Sequence, residues 1–175
     1  MIETIGVVGG GQLGRMLTGP AKQFGFNVTV VDPVPNCPAA QVGAEQIQAD
    51  LKDTDAIGVL AQRSDVLTWE IEHIPADYLM KLVEGGCDVQ PSPETLIMIQ
   101  DKLMQKQFLQ SRGIPVAPFS GELDESKFLG GGPFVIKTRK GGYDGRGNLV
   151  VKSLYPPHRH YGAFWQTARL RRTVC

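Results

Sequence analysis

A strand, a glycine-rich bend and a helix follow one another at the start of the chain, and this order constrains the fold more than any other feature. The β-branched run Thr4–Val8 predicts a strand, Gln12–Phe24 a helix and Asn27–Val31 a second strand. The bend Gly9–Gly14 has the spacing G-x-G-x-x-G between the first strand and the helix. Two strands joined by a helix pair in parallel, so we expect an α/β fold with a Rossmann-like parallel sheet.

Further strands and helices are predicted downstream. Strands are expected at Val66–Trp69 and Cys87–Gln90, a helix at Ala76–Val83, and a long amphipathic helix at Pro93–Ser111. The pair Gly19-Pro20 should break or kink the first helix in its middle.

The chain divides into three parts on these patterns. Gly113-Ile114-Pro115 ends the long helix and predicts a boundary, so residues 1–112 form the first domain and 113–152 begin a second. Residues 153–175 contain four arginines, two histidines and no acidic residue, and no helix or strand pattern. We interpret this tail as foreign to the family, for example frame-shifted, with a natural sequence cut short near residue 152. A basic tail for an anionic partner is the alternative.

Composition excludes several classes of protein. The formal net charge is zero, which does not favour a nucleic-acid partner. No apolar run approaches the roughly 20 residues of a membrane span, and the N-terminus lacks a secretion signal. The three cysteines form no CxxC pair, which argues against a disulfide framework and a zinc site. We therefore expect a cytoplasmic protein.

A second glycine-rich segment lies between two apolar runs, from Phe134 to Lys152. Four glycines allow the backbone to approach an anion closely, and basic side chains surround them. The glycines are Gly141, Gly142, Gly145 and Gly147, and the basic residues are Lys137, Arg139, Lys140 and Arg146. This pattern predicts a hairpin that covers phosphate groups, with an ordinary β-hairpin and a basic turn as the alternative.

The glycine bend at residues 9–14 places amide groups at a helix N-terminus, where they can bind a phosphate. Gln12 and Arg15 add polar side chains there. With Asp32 at the end of the second strand, the motif is also compatible with a dinucleotide site. A tight turn without a ligand is the third interpretation.

Two carboxylates follow the Val66–Trp69 strand. Glu70 and Glu72 should share a face, since side chains alternate along a strand, and this end of a parallel sheet borders the ligand crevice. They could orient an amine, bind Mg²⁺ or meet solvent, and metal binding is the least favoured of these.

Five segments together resemble the N5-carboxyaminoimidazole ribonucleotide synthetases, ATP-grasp enzymes of purine biosynthesis. They are GGGQLGRM from Gly9, WEIEHI from Trp69, PSPETLIMIQDKLMQK from Pro91, GIPVAPF from Gly113 and GGYDGRGNLVVK from Gly141. The WEIEHI and PSPET forms are most similar to the fungal version, the N-terminal half of a bifunctional phosphoribosylaminoimidazole carboxylase. The resemblance implies a pre-ATP-grasp domain followed by an incomplete ATP-grasp subdomain.

The resemblance also implies roles for individual residues. Positions expected to contact 5-aminoimidazole ribonucleotide are Gly11, Gln12, Leu13 and Glu72. Positions expected to contact ATP are Lys102, Lys137, Gly142, Gly145, Gly147 and Asn148. Positions expected to be catalytic are Tyr143, Asp144 and Arg146.

Such an enzyme forms carboxyphosphate from bicarbonate and ATP and transfers the carboxyl group to the ribonucleotide's exocyclic amine. The resemblance implies ATP and Mg²⁺ as cofactors, and expects the metal ligands beyond this chain, with none among its own residues. It is compatible with a homodimer of the intact enzyme, and with a lyase (decarboxylase) step in the fungal version. We expect the chain alone to be inactive. A non-catalytic nucleotide-binding module and an NAD(P)-binding reductase fragment are the alternative functions.

Overall fold

A computed structural model describes residues 2–121, 133–142 and 147–151, and the backbone of 172–174. The chain divides into two compact units, Met1–Ile97 and Met98–Cys175. The domain limits predicted from the sequence, 1–112 and 113–152, stay a prediction.

The first unit is an α/β fold built on a parallel sheet. Its elements are β1 Thr4–Val8, α1 Gln12–Gln23, β2 Asn27–Asp32, a 3₁₀ turn Ala40–Val42, β3 Glu45–Gln48, α2 Thr54–Gln62, β4 Val66–Trp69 and α3 Ala76–Glu84. The four strands pair in parallel in the order β3-β2-β1-β4. The predicted β-α-β opening and the α/β fold class are confirmed.

The centre of this sheet is buried on both faces. Val7 and Val8 are adjacent in β1, point to opposite faces and are both inaccessible to solvent, as are Val30 and Val31 in β2. Strands covered on both faces read as continuous apolar runs, which explains why β1 and β2 were predictable from the sequence.

Helix α1 continues through Pro20, so the predicted break at Gly19-Pro20 is wrong, and the kink given as its alternative stays a prediction. The ring of a proline normally contacts the Cβ of the preceding residue and disfavours helix there. Gly19 has no Cβ, and this contact is missing.

Two elements of the first unit were not predicted, and one predicted strand is not a strand. Strand β3 has only one apolar residue, Ile47, and lies at the edge of the sheet. Asp53 is the N-cap of helix α2, and its carboxylate accepts hydrogen bonds from two amides of the first turn. Residues 87–90, predicted as a strand, contribute a single parallel bridge between Leu67 and Val89.

The long helix predicted at Pro93–Ser111 is two helices, α4 Pro93–Gln100 and α5 Lys102–Ser111. Asp101 between them has extended backbone angles, and its carboxylate accepts hydrogen bonds from the amides of Leu103 and Met104. Aspartate in this position caps a new helix, which is why the continuous apolar pattern does not give one helix.

The second unit also contains an antiparallel sheet. Strands β5 Phe134–Thr138, β6 Asn148–Val151 and β7 Arg172–Val174 pair in the order β6-β5-β7. The predicted hairpin around the second glycine-rich segment is therefore present. Strand β7 lies in the tail where no strand was predicted. No helix in the described residues is long and apolar enough to cross a membrane.

Candidate functional site

The glycine bend of the first unit is filled by one carboxylate. Glu70 follows β4, and its Oε1 accepts a hydrogen bond from the Gly11 amide at 3.0 Å. Its Oε2 accepts a second hydrogen bond from the Gly14 amide. Carboxylates are stabilised at helix N-termini, where amides without helical partners carry partial positive charge. Glu70 therefore occupies part of the place that we predicted for a bound anion.

This side chain packs against all three glycines of the motif. A Cβ on Gly9 would lie 2.4 Å from Cγ of Glu70, one on Gly11 2.5 Å from its Oε1, and one on Gly14 2.7 Å from its Oε2. Real Cβ atoms do not approach other atoms so closely. Gly9 also has φ of +109°, a conformation that glycine adopts readily. A Cβ on Gly14 would also lie 2.9 Å from the Gly9 carbonyl oxygen, so Glu70 is one of the reasons for glycine at these positions.

The carboxylate of Asp32 is likewise bound by backbone amides of the protein itself. Its Oδ2 accepts a hydrogen bond from the Gly10 amide at 2.9 Å, and its Oδ1 accepts one from Val34 at 2.8 Å. The side chain is buried. A dinucleotide fingerprint needs this carboxylate for a ribose hydroxyl. The geometry therefore does not favour the NAD(P)-binding alternative.

Two amides of the glycine bend remain for a ligand. The Gly9 amide donates to the carbonyl of Val31, and those of Gly10, Gly11 and Gly14 donate to carboxylates. Within the described part of the chain, no hydrogen bond occupies the amides of Gln12 and Leu13. Of the three bend positions predicted to bind the ribonucleotide, Gln12 and Leu13 thus keep an available amide.

Gly11 differs from its two neighbours. Its amide already donates to Glu70, so a ligand contact through this amide would require Glu70 to move. The role of Gly11 in binding the ribonucleotide stays a prediction.

Glu70 and Glu72 do not act as a matched pair. The strand ends at Trp69, so the alternation that predicted a shared face does not extend to both residues. Glu72 instead lies beside His73, with 3.4 Å between its Oε1 and the imidazole Nε2, and it is half-exposed. Sequence reasoning assigned Glu72 to the site and missed the role of Glu70, although both carboxylates were noted.

Gln46 is a second residue that sequence reasoning missed. Its Nε2 donates to the carbonyls of Asp32 and Val34 at 3.0 and 2.7 Å, and its Oε1 accepts from the Cys37 amide at 3.2 Å. These contacts fix the loop after β2, whose Ala39 amide donates to the Gly10 carbonyl at 2.9 Å. The signal for this role in the sequence is the polar side chain of Gln46 within strand β3.

In the second unit, Asp101 binds Arg139. Both carboxylate oxygens of Asp101 lie 2.6 Å from Nε of Arg139, and Asp101 is 2 % exposed. Burial, the largest influence, raises the pKa of Asp101, but the hydrogen bond from Arg139 and those from Met104 and Leu103 together lower it below its ordinary value. The hydrogen bond to Asp101 raises the pKa of Arg139. Asp101 is thus a carboxylate held in its charged form.

This ion pair places Lys102 beside the second glycine-rich segment. The Lys102 amide donates to the carbonyl of Arg139 at 3.0 Å, and its Nζ donates to the carbonyl of Gly142 at 3.1 Å. Two of the predicted ATP contacts, Lys102 and Gly142, are therefore adjacent.

Two further predicted ATP contacts face each other across the hairpin. Lys137 of β5 pairs in register with Asn148 of β6. Gly147, just before β6, has φ of +76°, and its carbonyl accepts from the Thr138 amide at 2.9 Å. Gly145 and the predicted catalytic residues Tyr143, Asp144 and Arg146 lie outside the described residues.

Metal ligands were not expected in this chain. Among residues 2–121, 133–142 and 147–151, no three acidic, histidine or cysteine side chains lie together as a metal site. The position of the Mg²⁺ ligands in sequence beyond this chain stays a prediction.

Comparison with known proteins identifies the family. Residues 2–100 match the model of the ribonucleotide synthetase preATP-grasp domain. N5-carboxyaminoimidazole ribonucleotide synthase of Brucella melitensis is 42% identical over 157 residues, which are 87% of this chain and 43% of that protein.

Solved structures agree with this assignment. The crystal structure of N5-carboxyaminoimidazole ribonucleotide synthetase from Thermotoga maritima is 40% identical, with a TM-score of 0.81 over 99% of this chain and 45% of that one. The synthase from Aspergillus clavatus, solved in complex with ADP and 5-aminoimidazole ribonucleotide, is 30% identical, with a TM-score of 0.80 over 99% of this chain and 46% of that one.

The chain spans less than half the length of each of these relatives. The family model covers more than half of the chain, and both units have counterparts in solved synthetases. The chain therefore belongs to the family of the ribonucleotide synthetase preATP-grasp domain, and its relatives are N5-carboxyaminoimidazole ribonucleotide synthetases.

Proposed function

We propose that the chain is the N-terminal part of an enzyme that carboxylates 5-aminoimidazole ribonucleotide with ATP and bicarbonate. The observation that carries this proposal is the pair of available amides at Gln12 and Leu13, in a bend whose other amides are all used internally. The relative from Aspergillus clavatus, crystallised with this ribonucleotide and ADP, supports the identity of the ligands.

The first unit binds the ribonucleotide in this proposal. Its phosphate accepts hydrogen bonds from the amides of Gln12 and Leu13, at the positive end of the α1 dipole. Glu72, half-exposed after β4, lies near the same edge of the sheet and contacts the sugar or the base. Because Gly11 has no side chain, the ribonucleotide can approach the backbone closely there, while the Gly11 amide stays bound to Glu70.

The second unit binds ATP in this proposal. Lys102 exchanges the Gly142 carbonyl for a phosphate oxygen, and Lys137 and Asn148 contact the nucleotide from the hairpin. The glycines Gly142, Gly145 and Gly147 let the backbone approach the phosphates closely. Positive charge suits a reaction whose transition state spreads negative charge over phosphoryl oxygens.

Tyr143, Asp144 and Arg146 act at the reacting groups in this proposal, within the loop that covers the phosphates. Bicarbonate attacks the γ-phosphorus of ATP to give carboxyphosphate and ADP, and the exocyclic amine then takes the carboxyl group with release of phosphate. Mg²⁺ bound by residues beyond this chain would neutralise the nucleotide phosphates.

In this proposal the 175-residue chain alone does not catalyse the carboxylation, since it corresponds to less than half of each relative. The intact enzyme is cytoplasmic, forms a homodimer and has no nucleic-acid or membrane partner. The sequence motifs favour, as the intact protein, a fungal bifunctional enzyme that also has a decarboxylase (lyase) activity.

Thermal unfolding with added ligands tests this proposal. A ligand that binds only the folded chain raises the unfolding temperature. We expect stabilisation by 5-aminoimidazole ribonucleotide, weak stabilisation by ATP and none by NAD⁺. Stabilisation by NAD⁺ without any by the ribonucleotide would overturn the assignment. Release of ADP by the chain, dependent on ribonucleotide and bicarbonate, would contradict the proposed inactivity.

A further inference from the structure

Glu70 has a role that the proposed function does not assign. Its carboxylate lies where a dinucleotide-binding fold accepts the pyrophosphate of its cofactor, at a glycine bend that begins a helix. The side chain is partly buried and satisfies two amides of the bend. A negative group built into the protein therefore takes part of an anion's place.

The amides that remain set the size of the anion. With Glu70 in place, the bend offers only the adjacent amides of Gln12 and Leu13. Two neighbouring donors suit a single phosphate group. Without Glu70, the amides of Gly11 and Gly14 would join them and form the four-residue set that a pyrophosphate needs.

Charge acts in the same direction as geometry. A second phosphate placed at Gly11 or Gly14 would meet the Glu70 carboxylate at hydrogen-bond distance. Like charges at such a distance repel strongly in a partly buried site. A phosphate at Gln12 and Leu13 is instead drawn by the helix dipole, which Glu70 offsets only in part.

We propose that Glu70 is a specificity-determining residue that restricts the bend to a phosphate monoester and excludes pyrophosphate-linked ligands. This inference rests on the proposed function, which supplies the natural ligand of the bend. It adds to that function the residue that distinguishes this bend from a dinucleotide site. Glu70 also positions the bend, since three glycines accommodate its side chain.

The test compares the chain with Glu70→Gln and Glu70→Ala. Calorimetric titration with inorganic phosphate and with pyrophosphate gives two dissociation constants for each protein, and their ratio measures the discrimination. Glu70→Gln keeps the volume of the side chain but can accept only through one atom, and it is the second variant to measure if Glu70→Ala does not fold.

We expect the ratio to move at least tenfold towards pyrophosphate in Glu70→Ala, and in the same direction but less in Glu70→Gln. An unchanged ratio in both variants would overturn the proposal. Binding of 5-aminoimidazole ribonucleotide to the unaltered chain is measured separately. Its absence would refute the proposed function, whereas the phosphate ratio would still decide the role of Glu70.

Asp65→Ala is the matched control. The Asp65 carboxylate also accepts hydrogen bonds from two backbone amides, Glu3 and Thr4, at 2.8 and 2.9 Å. Glu3 precedes β1 and Thr4 is its first residue, so both amides lie at the opposite end of this strand from the glycine bend. This variant should lower stability without changing the ratio. A purely structural role for Glu70 predicts that its variants behave like Asp65→Ala, and that result would also overturn the proposal.

Discussion

The ion pair between Asp101 and Arg139 predicts a graded loss of stability at the start of α5. Asp101→Ala removes both the helix cap and the ion pair, whereas Asp101→Asn keeps an amide oxygen that can cap the helix. The two substitutions therefore separate the cap from the charge.

The magnitudes follow from the geometry. Loss of an aspartate cap costs about 1 kcal/mol. A charge-assisted hydrogen bond of a buried carboxylate contributes roughly 1.5–3 kcal/mol, but the Arg139 side chain is 40% exposed and solvent screens the pair, so about 1 kcal/mol is realistic. We expect Asp101→Asn to lose about 1 kcal/mol and Asp101→Ala about 2 kcal/mol.

Hydrogen exchange measures this loss where it occurs. The Gln105 amide donates to the main-chain carbonyl of residue 101 at 2.9 Å, a hydrogen bond that both variants keep, so this amide exchanges when the first turn of α5 opens. Losses of about 1 and 2 kcal/mol correspond to roughly 5-fold and 30-fold faster exchange. A double-mutant cycle with Arg139→Met should give a coupling of about 1 kcal/mol between the two charges.

Asp53 provides the matched control. It caps α2 through the amides of Asp55 and Ala56, both at 3.0 Å, and has no ion pair among the described residues. Asp53→Asn should therefore be nearly neutral. If Asp101→Asn proves as harmless as Asp53→Asn, the argument that the charge of Asp101 stabilises this unit is refuted.

Three further perturbations test the same physical reasoning. Gly14→Ala should destabilise the chain by about 1–3 kcal/mol in urea unfolding, because its Cβ would overlap the Gly9 carbonyl oxygen as well as Glu70. A gain in stability, as expected of alanine in an unobstructed helix, would contradict this. Gln46→Leu should lower the unfolding temperature, because three backbone groups lose their hydrogen-bond partner, which costs at most about 1–3 kcal/mol each. Gln48→Leu, at the exposed end of β3, should not lower it. Because the pKa of Asp101 is lowered, its charge stabilises the fold above the unfolded-state pKa of about 3.8, and this contribution is lost as the pH falls through the folded-state pKa. The difference in stability between the unaltered chain and Asp101→Asn, followed by circular dichroism, should therefore shrink in that acid range. A difference that stays constant with pH would contradict this.

The two central strands β1 and β2 could be predicted from the sequence because they are buried on both faces. Thr4–Val8 and Asn27–Asp32 are dominated by β-branched residues, and each is joined to its neighbour by a helix or a turn with clear signals. Strand β3 could not be predicted in this way, because an edge strand with one apolar residue has almost no alternation. Its assignment depends on pairing with β2, which is a tertiary contact.

The glycine bend could be recognised from the sequence, but its internal contacts could not. Glycine spacing marks the bend, yet three glycines accommodate either a ligand or a side chain, and only the structure distinguishes Glu70 from a phosphate. Similarly, the apolar pattern continues through Asp101, so the break between α4 and α5 depended on one capping residue. Local hydrogen bonds decided both features.

The way Glu70 fills the glycine bend has an evolutionary consequence. Gly9, Gly11 and Gly14 lie within a few residues of one another, but Glu70 is far away in sequence. Gly11 is small for the sake of this distant side chain alone, whereas Gly9 also has φ of +109° and a Cβ on Gly14 would also lie 2.9 Å from the Gly9 carbonyl oxygen. A lineage that loses the carboxylate would therefore relax the constraint on Gly11 first, and substitutions at position 11 should appear together with a change at position 70.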